Sequence, residues 1–303
     1  MKTKLSIFLI LVFLLAACGL FKPTIIYQEY DKVPNTKNQN TCKLLEDSVL
    51  VYAIFVDTDI YHPWTEFDIE STMDSLRKAS NWIQQQAGSY NKQVHFECVN
   101  YRYGPRLTIY EKSAHVRLGE HAQMLFKGKH GSKTKKWISW ADAISKKAAP
   151  GLKYIPSAKI SKRLKITNVQ TLNQALRDQY ERESVSILFF VNGYLENHTS
   201  YTFNSESNFA AEYSIITSKN PAVISHELLH QFGAVDLYPN RTYPNFNFPE
   251  LEEKFPNEIM RIQHKEITRL SVSPISAYFV GWQDSLDKPN TRLLLHKSNL
   301  TGY

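Results

Sequence analysis

The sequence predicts an α/β (α+β) fold in which a mixed sheet is followed by a helical C-terminal subdomain. Two stretches, residues 48–57 and 184–194, are almost continuously apolar and rich in β-branched or aromatic side chains, as buried strands are. The residues between them include segments with helical periodicity, and a further helix begins at Asn220-Pro221. Because strands and helices alternate first and helices dominate the end, we expect helices packed on a sheet layer.

The first residues have the pattern of a secretory signal segment. Lys2 and Lys4 precede an apolar run over residues 5–15, and small residues follow it. The run has eleven residues, whereas a helix that spans a bilayer needs about 20. We therefore assign residues 1–17 to a signal peptide and leave them out of the predicted fold.

Cys18 follows Leu15-Ala16-Ala17, and this stretch resembles the bacterial lipobox. The resemblance implies that Cys18 becomes the lipidated N-terminus, so that acyl chains hold the exported protein at the periplasmic or cell-surface face of a membrane. The alternative is an ordinary cleaved signal peptide with a chance cysteine. Residues 18–47 are polar and rich in Asn and Lys, which is typical of a tether between a lipid anchor and a domain.

The remaining elements follow from periodicity and from capping residues. Residues 68–90 carry their apolar side chains near one helical face, with Asp68 as a candidate cap. Further strands are expected at residues 93–103 and, at a sheet edge, at residues 212–218. The chain after Pro239 is rich in Pro, Asn and Phe, so we expect a loop up to the last helix. Additional helices are expected at residues 116–126, 140–148, 169–182 and 275–282.

We expect residues 48–303 to form one large domain that contains a basic insertion. Hydrophobic residues make up 43% of the chain, which is enough for a core of that size. The chain has 36 Lys and Arg against 29 Asp and Glu, and residues 112–165 alone hold fourteen of the cations and only two acids. For an exported chain we favour a solvated insertion over a surface for acidic lipid or nucleic acid, so no nucleic-acid partner is expected.

Two cysteines remain after Cys18, namely Cys42 and Cys98. Outside the cytoplasm they can form one disulfide that ties the tether to the domain. Two free, buried thiols are the alternative, and the sequence leaves both open.

Residues 223–239, VISHELLHQFGAVDLYP, place two imidazoles and a carboxylate on an apolar helix. His226 and His230 are four residues apart, so one helical face carries both rings, and their nitrogens can reach one tetrahedral zinc ion. Glu227 follows the first histidine and is placed to act on a water molecule at the metal rather than on the metal itself. This arrangement predicts a hydrolytic zinc site with Glu227 as its general base.

The residues after this helix complete the predicted site. Gly233 stands three residues after His230, where a residue of left-handed conformation ends a helix. The turn would bring Asp236 back as a third ligand and leave a fourth position open, which distinguishes a catalytic from a structural zinc site. The sequence therefore predicts one catalytic Zn²⁺.

The pattern HExxHxxGxxD over residues 226–236 resembles that of the metzincin zinc metallopeptidases, and its Asp variant is similar to that of snapalysin-type secreted proteases. Residues 256–260, PNEIM, look like the Met-turn of that family, which would place Met260 under the metal as an apolar floor. The resemblance implies a metzincin-like fold and an endopeptidase for peptide or protein substrates. Some metzincins have a tyrosine two positions after the methionine, where this chain has Ile262.

Two other hypotheses stay open at this point. In a gluzincin-like site the third ligand would be a downstream glutamate. Gly233 argues against this alternative, because it ends the helix at the place where a turn is needed to bring Asp236 to the metal. The candidates for that ligand are Glu250, Glu252, Glu253 and Glu258. A non-catalytic surface lipoprotein would use the same scaffold for binding or adhesion, although a structural metal site has no need of the Glu227 carboxylate.

Overall fold

A mixed sheet of six strands lies at the centre of the described chain. The computed structural model describes residues 45–58, 63–111, 132–152, 165–192, 200–203, 212–240, 243, 245–262 and 266–295. The strands are β1 (Asp47–Thr58), β2 (Val94–Asn100), β3 (Ile109–Glu111), β4 (Ser184–Val191), β5 (Tyr201–Phe203) and β6 (Tyr213–Ile216). Their order is β2-β1-β4-β6-β5, with β3 also paired to β1. All pairs are parallel except the antiparallel pair of β5 and β6.

Seven α-helices accompany the sheet in the part of the chain that the structure describes, which confirms the predicted mixed α/β content. They are α1 (Glu66–Gly88), α2 (Ser132–Ala148), α3 (Val169–Tyr180), α4 (Pro221–Gln231), α5 (Phe248–Lys254), α6 (Pro274–Phe279) and α7 (Lys288–Leu294). The last three follow one another with no strand between them in the described residues, as expected for a helical C-terminal part. Within the same residues, no helix has both the length and the apolar character needed to span a membrane.

Strand β1 is buried on both of its faces, because helices cover the sheet on both sides. Its alternate residues from Leu50 to Val56 join one hydrophobic cluster with α2 and α3. The residues between them, from Val49 to Phe55, are also fully buried. Helices α1 and α4 pack against each other, and Ser225 of α4 donates a hydrogen bond to the Ala79 carbonyl of α1 at 3.4 Å. Helix α4 is therefore held between β6, which precedes it, and α1.

The first helix begins earlier than its sequence pattern indicates, because its cap is Thr65 and not Asp68. The Thr65 hydroxyl accepts a hydrogen bond from the backbone N–H of Asp68 at 3.1 Å. The Asp68 carboxylate in turn accepts from the Thr65 backbone at 3.4 Å, which completes a capping box. Asp68 thus belongs to the first turn of α1.

The strand at residues 212–218 exists as β6, but the expectation that it forms the sheet edge is wrong. β6 pairs with β4 on one side and with β5 on the other. The edge is β5, whose three residues are too few to show an alternating pattern in the sequence. Thr202 of this edge strand contacts Glu227 on α4.

Part of the predicted basic insertion belongs to the core. Helix α2 begins at Ser132, before the predicted start at residue 140, and it buries Trp137, Trp140 and Ile144 against the sheet. Its lysines Lys146 and Lys147 are exposed near its C-terminal end. The helix predicted at residues 116–126 lies outside the described residues, as do the rest of residues 112–131 and residues 153–164.

The loop expected after Pro239 contains a helix, α5, and the helix expected to be the last one is followed by α7. Both helices have seven residues and proline in the first turn, so their hydrophobic repeat is too short to be read from sequence. Side chains of Asn247 and Asp287 cap them by accepting backbone hydrogen bonds. The helix predicted at residues 275–282 is α6, which ends at Phe279.

Candidate metal centre

Three side chains converge at the C-terminal end of α4 and the turn that follows it. The Nε2 atoms of His226 and His230 lie 2.9 Å apart. The Oδ1 atom of Asp236 lies 3.3 Å from the first and 3.1 Å from the second. Tetrahedral ligands at about 2.0–2.1 Å from a zinc ion are about 3.3 Å from one another. The three atoms thus have nearly the mutual spacing of ligands on one ion, and the group can hold a metal ion.

Helix α4 fixes the positions of the two histidines. Asn220 caps it by accepting a hydrogen bond from the backbone of Ala222 at 2.9 Å, and Pro221 occupies its first position. His226 and His230 lie one turn apart, so their rings meet edge to face with centroids 4.5 Å apart. Because nearly the whole helix is buried, both ligands stand on a rigid element.

Each histidine ring is oriented by a backbone carbonyl. The Nδ1 atom of His226 lies 3.1 Å from the carbonyl oxygen of Ile259, and that of His230 lies 2.8 Å from the carbonyl oxygen of Ala234. A carbonyl oxygen can only accept a hydrogen bond, so each Nδ1 carries a proton and is the donor. The Nε2 lone pairs are thereby left for a metal, which is the arrangement that outer partners of metal-binding histidines impose.

Gly233 ends the helix as predicted, in a conformation that suits glycine. Its φ is 103°, a positive value that side-chain-bearing residues rarely adopt. Gly233 N–H donates to the His230 carbonyl at 3.0 Å, and Ala234 N–H donates to the Leu229 carbonyl at 3.0 Å. These two bonds form a Schellman motif. The same turn places the Ala234 carbonyl against His230 and returns the chain towards the site, where Asp236 joins the histidines.

The electrostatics of the cluster are those of a cation site. Burial would raise the pKa of Asp236, but when Nε2 of His230 carries a proton instead of a metal, the charge of His230 and hydrogen bonds from both histidines hold that pKa well below its usual range. Burial would lower the pKa of His230, but the charge of Asp236 and its hydrogen bond to His230 have a larger effect and raise that pKa to about 9. A proton and a metal ion therefore compete for the same ligand atoms.

Glu227 lies beside the metal-binding group and is not one of its members. It is buried, and its Oε2 atom accepts a hydrogen bond from the hydroxyl of Thr202 at 2.6 Å. Burial raises the pKa of Glu227, although the two neighbouring histidines and Thr202 oppose that shift. The carboxylate is therefore held by the edge strand β5, on which Thr202 is the middle residue.

The hydroxyl of Thr202 is one member of a buried chain of polar groups. Its Oγ1 lies 2.7 Å from the hydroxyl of Ser214 on β6. Ser214 accepts a hydrogen bond from the side-chain amide of Gln231 at 2.6 Å, and Gln231 also reaches the Ile187 carbonyl of β4 at 3.3 Å. The sequence pattern did not single out these three polar residues, because none belongs to a known motif. Together they connect β4, β6 and β5 to the helix that carries Glu227.

The segment that resembles a Met-turn lies next to the ligands. Met260 is fully buried, and its carbonyl accepts a hydrogen bond from the backbone of Leu237 at 2.9 Å, one residue after Asp236. The preceding carbonyl, that of Ile259, accepts from His226. Ile262 is also buried, in the position where some metzincins have a tyrosine. That the Met260 side chain forms a floor beneath a metal stays a prediction.

The glutamates of the gluzincin-like alternative do not approach the histidines. Glu250, Glu252 and Glu253 are exposed on α5, and Glu252 forms an ion pair with Arg261 at 3.1 Å. Glu258 is buried, but its carboxylate accepts hydrogen bonds from other parts of the chain. Among the described residues it is Asp236 that completes, with the two histidines, a group that could hold a metal ion.

The remaining sequence-predicted positions are the cysteines and the signal segment. Cys18, the signal segment and Cys42 fall outside the described residues. Cys98 is half-buried, and its Sγ lies 3.3 Å from the hydroxyl of Ser80. Because only one of the two cysteines is described, the Cys42–Cys98 disulfide stays a prediction.

The chain matches no protein family model and no curated protein.

Proposed function

We propose that this chain is a zinc-dependent endopeptidase of the metzincin type. The observation that supports the proposal best is the convergence of two imidazole nitrogens and one carboxylate oxygen, with the Glu227 carboxylate held beside them. Two nitrogens and one oxygen in tetrahedral spacing suit Zn²⁺ among the common biological metals. Among the described residues three side chains supply ligand atoms, which would leave a fourth position open, as a catalytic centre requires and a structural one does not.

In the proposed reaction, Glu227 transfers a proton and Thr202 positions Glu227. Bound zinc would act as a Lewis acid and lower the pKa of a water molecule at its open position to about 7. Glu227 accepts one proton from the attacking water as the remaining hydroxide adds to the peptide carbonyl carbon. When the C–N bond breaks, Glu227 delivers that proton to the leaving amine. Thr202 holds the carboxylate in place throughout.

The edge of the sheet favours an extended polypeptide as the substrate. Among the described strands, β5 is the outermost one beyond β6, with which it pairs. A peptide that adds to β5 would lie next to Thr202, whose hydroxyl contacts Glu227. The expected position of the substrate is therefore beside β5.

The N-terminal residues support a membrane location for this activity. The signal-like run over residues 5–15 and the lipobox-like stretch ending at Cys18 would export the chain and attach it through lipid. The tether of residues 18–47 would then hold the peptidase domain away from the membrane surface.

Hydrolysis of a mixed peptide library by the zinc-loaded full chain tests the proposal. Glu227→Gln keeps the shape of the side chain but removes the base, so hydrolysis should fall by about 10²–10⁴-fold while zinc is retained. Glu253→Gln, an exposed change on α5, is the matched control and should leave the rate unchanged. A wild-type chain that holds zinc and cleaves nothing in the library would favour the non-catalytic binding lipoprotein.

A further inference from the structure

One buried carboxylate close to the metal centre has no role in the chemistry described above. Glu258 is only 1% exposed and lies at the start of the turn that contains Met260. Its Oε1 atom accepts hydrogen bonds from the Met260 backbone at 3.0 Å and from the Ser276 hydroxyl at 2.9 Å. Its Oε2 atom accepts from the backbone of Ser273, at the start of α6. The carboxylate thus joins its own turn to the first residues of another element.

The turn that Glu258 holds forms hydrogen bonds with His226, the first ligand, and with the residue that follows Asp236, the third ligand. The Ile259 carbonyl accepts a hydrogen bond from Nδ1–H of His226. The Met260 carbonyl accepts one from the backbone N–H of Leu237, the residue after Asp236. Two consecutive carbonyls therefore orient the first ligand and fix the backbone beside the third. Both follow Glu258 directly in the chain, so their positions depend on the position of residue 258.

A carboxylate suits this position because all of its partners are donors. Burial raises the pKa of Glu258, and the hydrogen bonds from Ser273, Met260 and Ser276 oppose that shift. A glutamine of the same shape would replace one oxygen by NH₂, which would face an N–H or O–H donor instead of accepting from it. The turn would then have to move or lose a hydrogen bond in a buried place.

We infer that Glu258 is a positioning residue for the metal centre: it holds the turn so that Ile259 orients His226 and Met260 fixes the segment of Asp236. The inference rests on the proposed metal site and deepens it. It assigns to Glu258 control of metal affinity without direct contact with the metal. The gluzincin-like alternative had considered the same residue as a ligand, which its hydrogen bonds argue against.

Zinc affinity of the full chain, measured by competition with a chelator of known affinity, tests this role. Outer partners of metal ligands commonly change metal affinity by about 10–100-fold, and we expect Glu258→Gln to weaken zinc binding by that factor. Asn173→Ala is the matched control, because Asn173 is equally buried and donates to the Val185 carbonyl at 3.1 Å, but lies on α3. It should lower the melting temperature of the chain and leave zinc affinity unchanged.

A second variant keeps the test decisive if Glu258→Gln fails to fold. Ser276→Ala removes one donor from Glu258 and should weaken zinc binding by a smaller factor, about 3- to 10-fold. If Glu258→Gln folds and binds zinc with wild-type affinity, the inference is wrong and the proposed function still stands. If Glu258→Gln does not fold, unchanged zinc affinity in Ser276→Ala has the same meaning. A wild-type chain that binds no zinc would overturn both.

Discussion

Replacement of Thr202 by valine removes one hydroxyl from the candidate site and preserves the shape of the side chain. Of the contacts that the hydroxyl makes, the one from Thr202 Oγ1 to Glu227 Oε2, at 2.6 Å, has the length of a charge-assisted O–H···O⁻ bond. Hydrogen bonds to charged groups contribute about 1.5–3 kcal/mol, which corresponds to a factor of about 10–150. Because the bond orients the proposed base and not the metal, we expect kcat for peptide hydrolysis to fall by about 10–100-fold with zinc content unchanged.

The assay is steady-state hydrolysis of one peptide, so that kcat and KM are obtained separately. Thr202→Ser restores the hydroxyl and should recover most of the rate, whereas a general weakening of strand β5 would affect both variants and raise KM instead. If Thr202→Val cleaves with the kcat of the wild type, Thr202 does not hold the base and this part of the mechanism is wrong.

Two further predictions concern the turn after α4 and the N-terminus. Gly233→Ala should lower the free energy of unfolding in urea by about 1–3 kcal/mol, because a φ of 103° strains any residue with a Cβ. Gly88→Ala, with nothing within 4 Å of the added Cβ, should be neutral or stabilising, and equal losses for both variants would contradict the role of the turn. Cys18→Ser should abolish lipid labelling and release the chain from the membrane fraction. Unchanged labelling would rule out the lipobox interpretation.

The parts of the fold that could be predicted from sequence are those with a long local pattern. Strands β1 and β4 are continuously apolar, and α1 and α3 carry a hydrophobic repeat over three turns or more. Strand β5, with three residues, and helices α5 and α7, with seven each, are too short for such a pattern. The position of β6 within the sheet also depends on β5, so the predicted sheet edge was wrong.

The candidate site divides in the same way between local and distant contacts. His226, His230 and Asp236 lie within one helix and one turn, so helical geometry and Gly233 were enough to predict that they converge. The groups that orient them come from distant segments. Thr202 is 25 residues from Glu227, and Ile259 is 33 residues from His226, and no local pattern links either pair.

The content of zinc in the purified full chain, determined by metal analysis, tests whether His226, His230 and Asp236 bind a metal ion. We predict one zinc ion per chain, and its loss in Asp236→Ala, because Asp236 supplies the third ligand atom. Glu252→Ala and Glu253→Ala, which alter exposed carboxylates on α5, should retain the metal. Full zinc content in Asp236→Ala, or a wild-type chain without stoichiometric metal under zinc-replete conditions, would contradict the account.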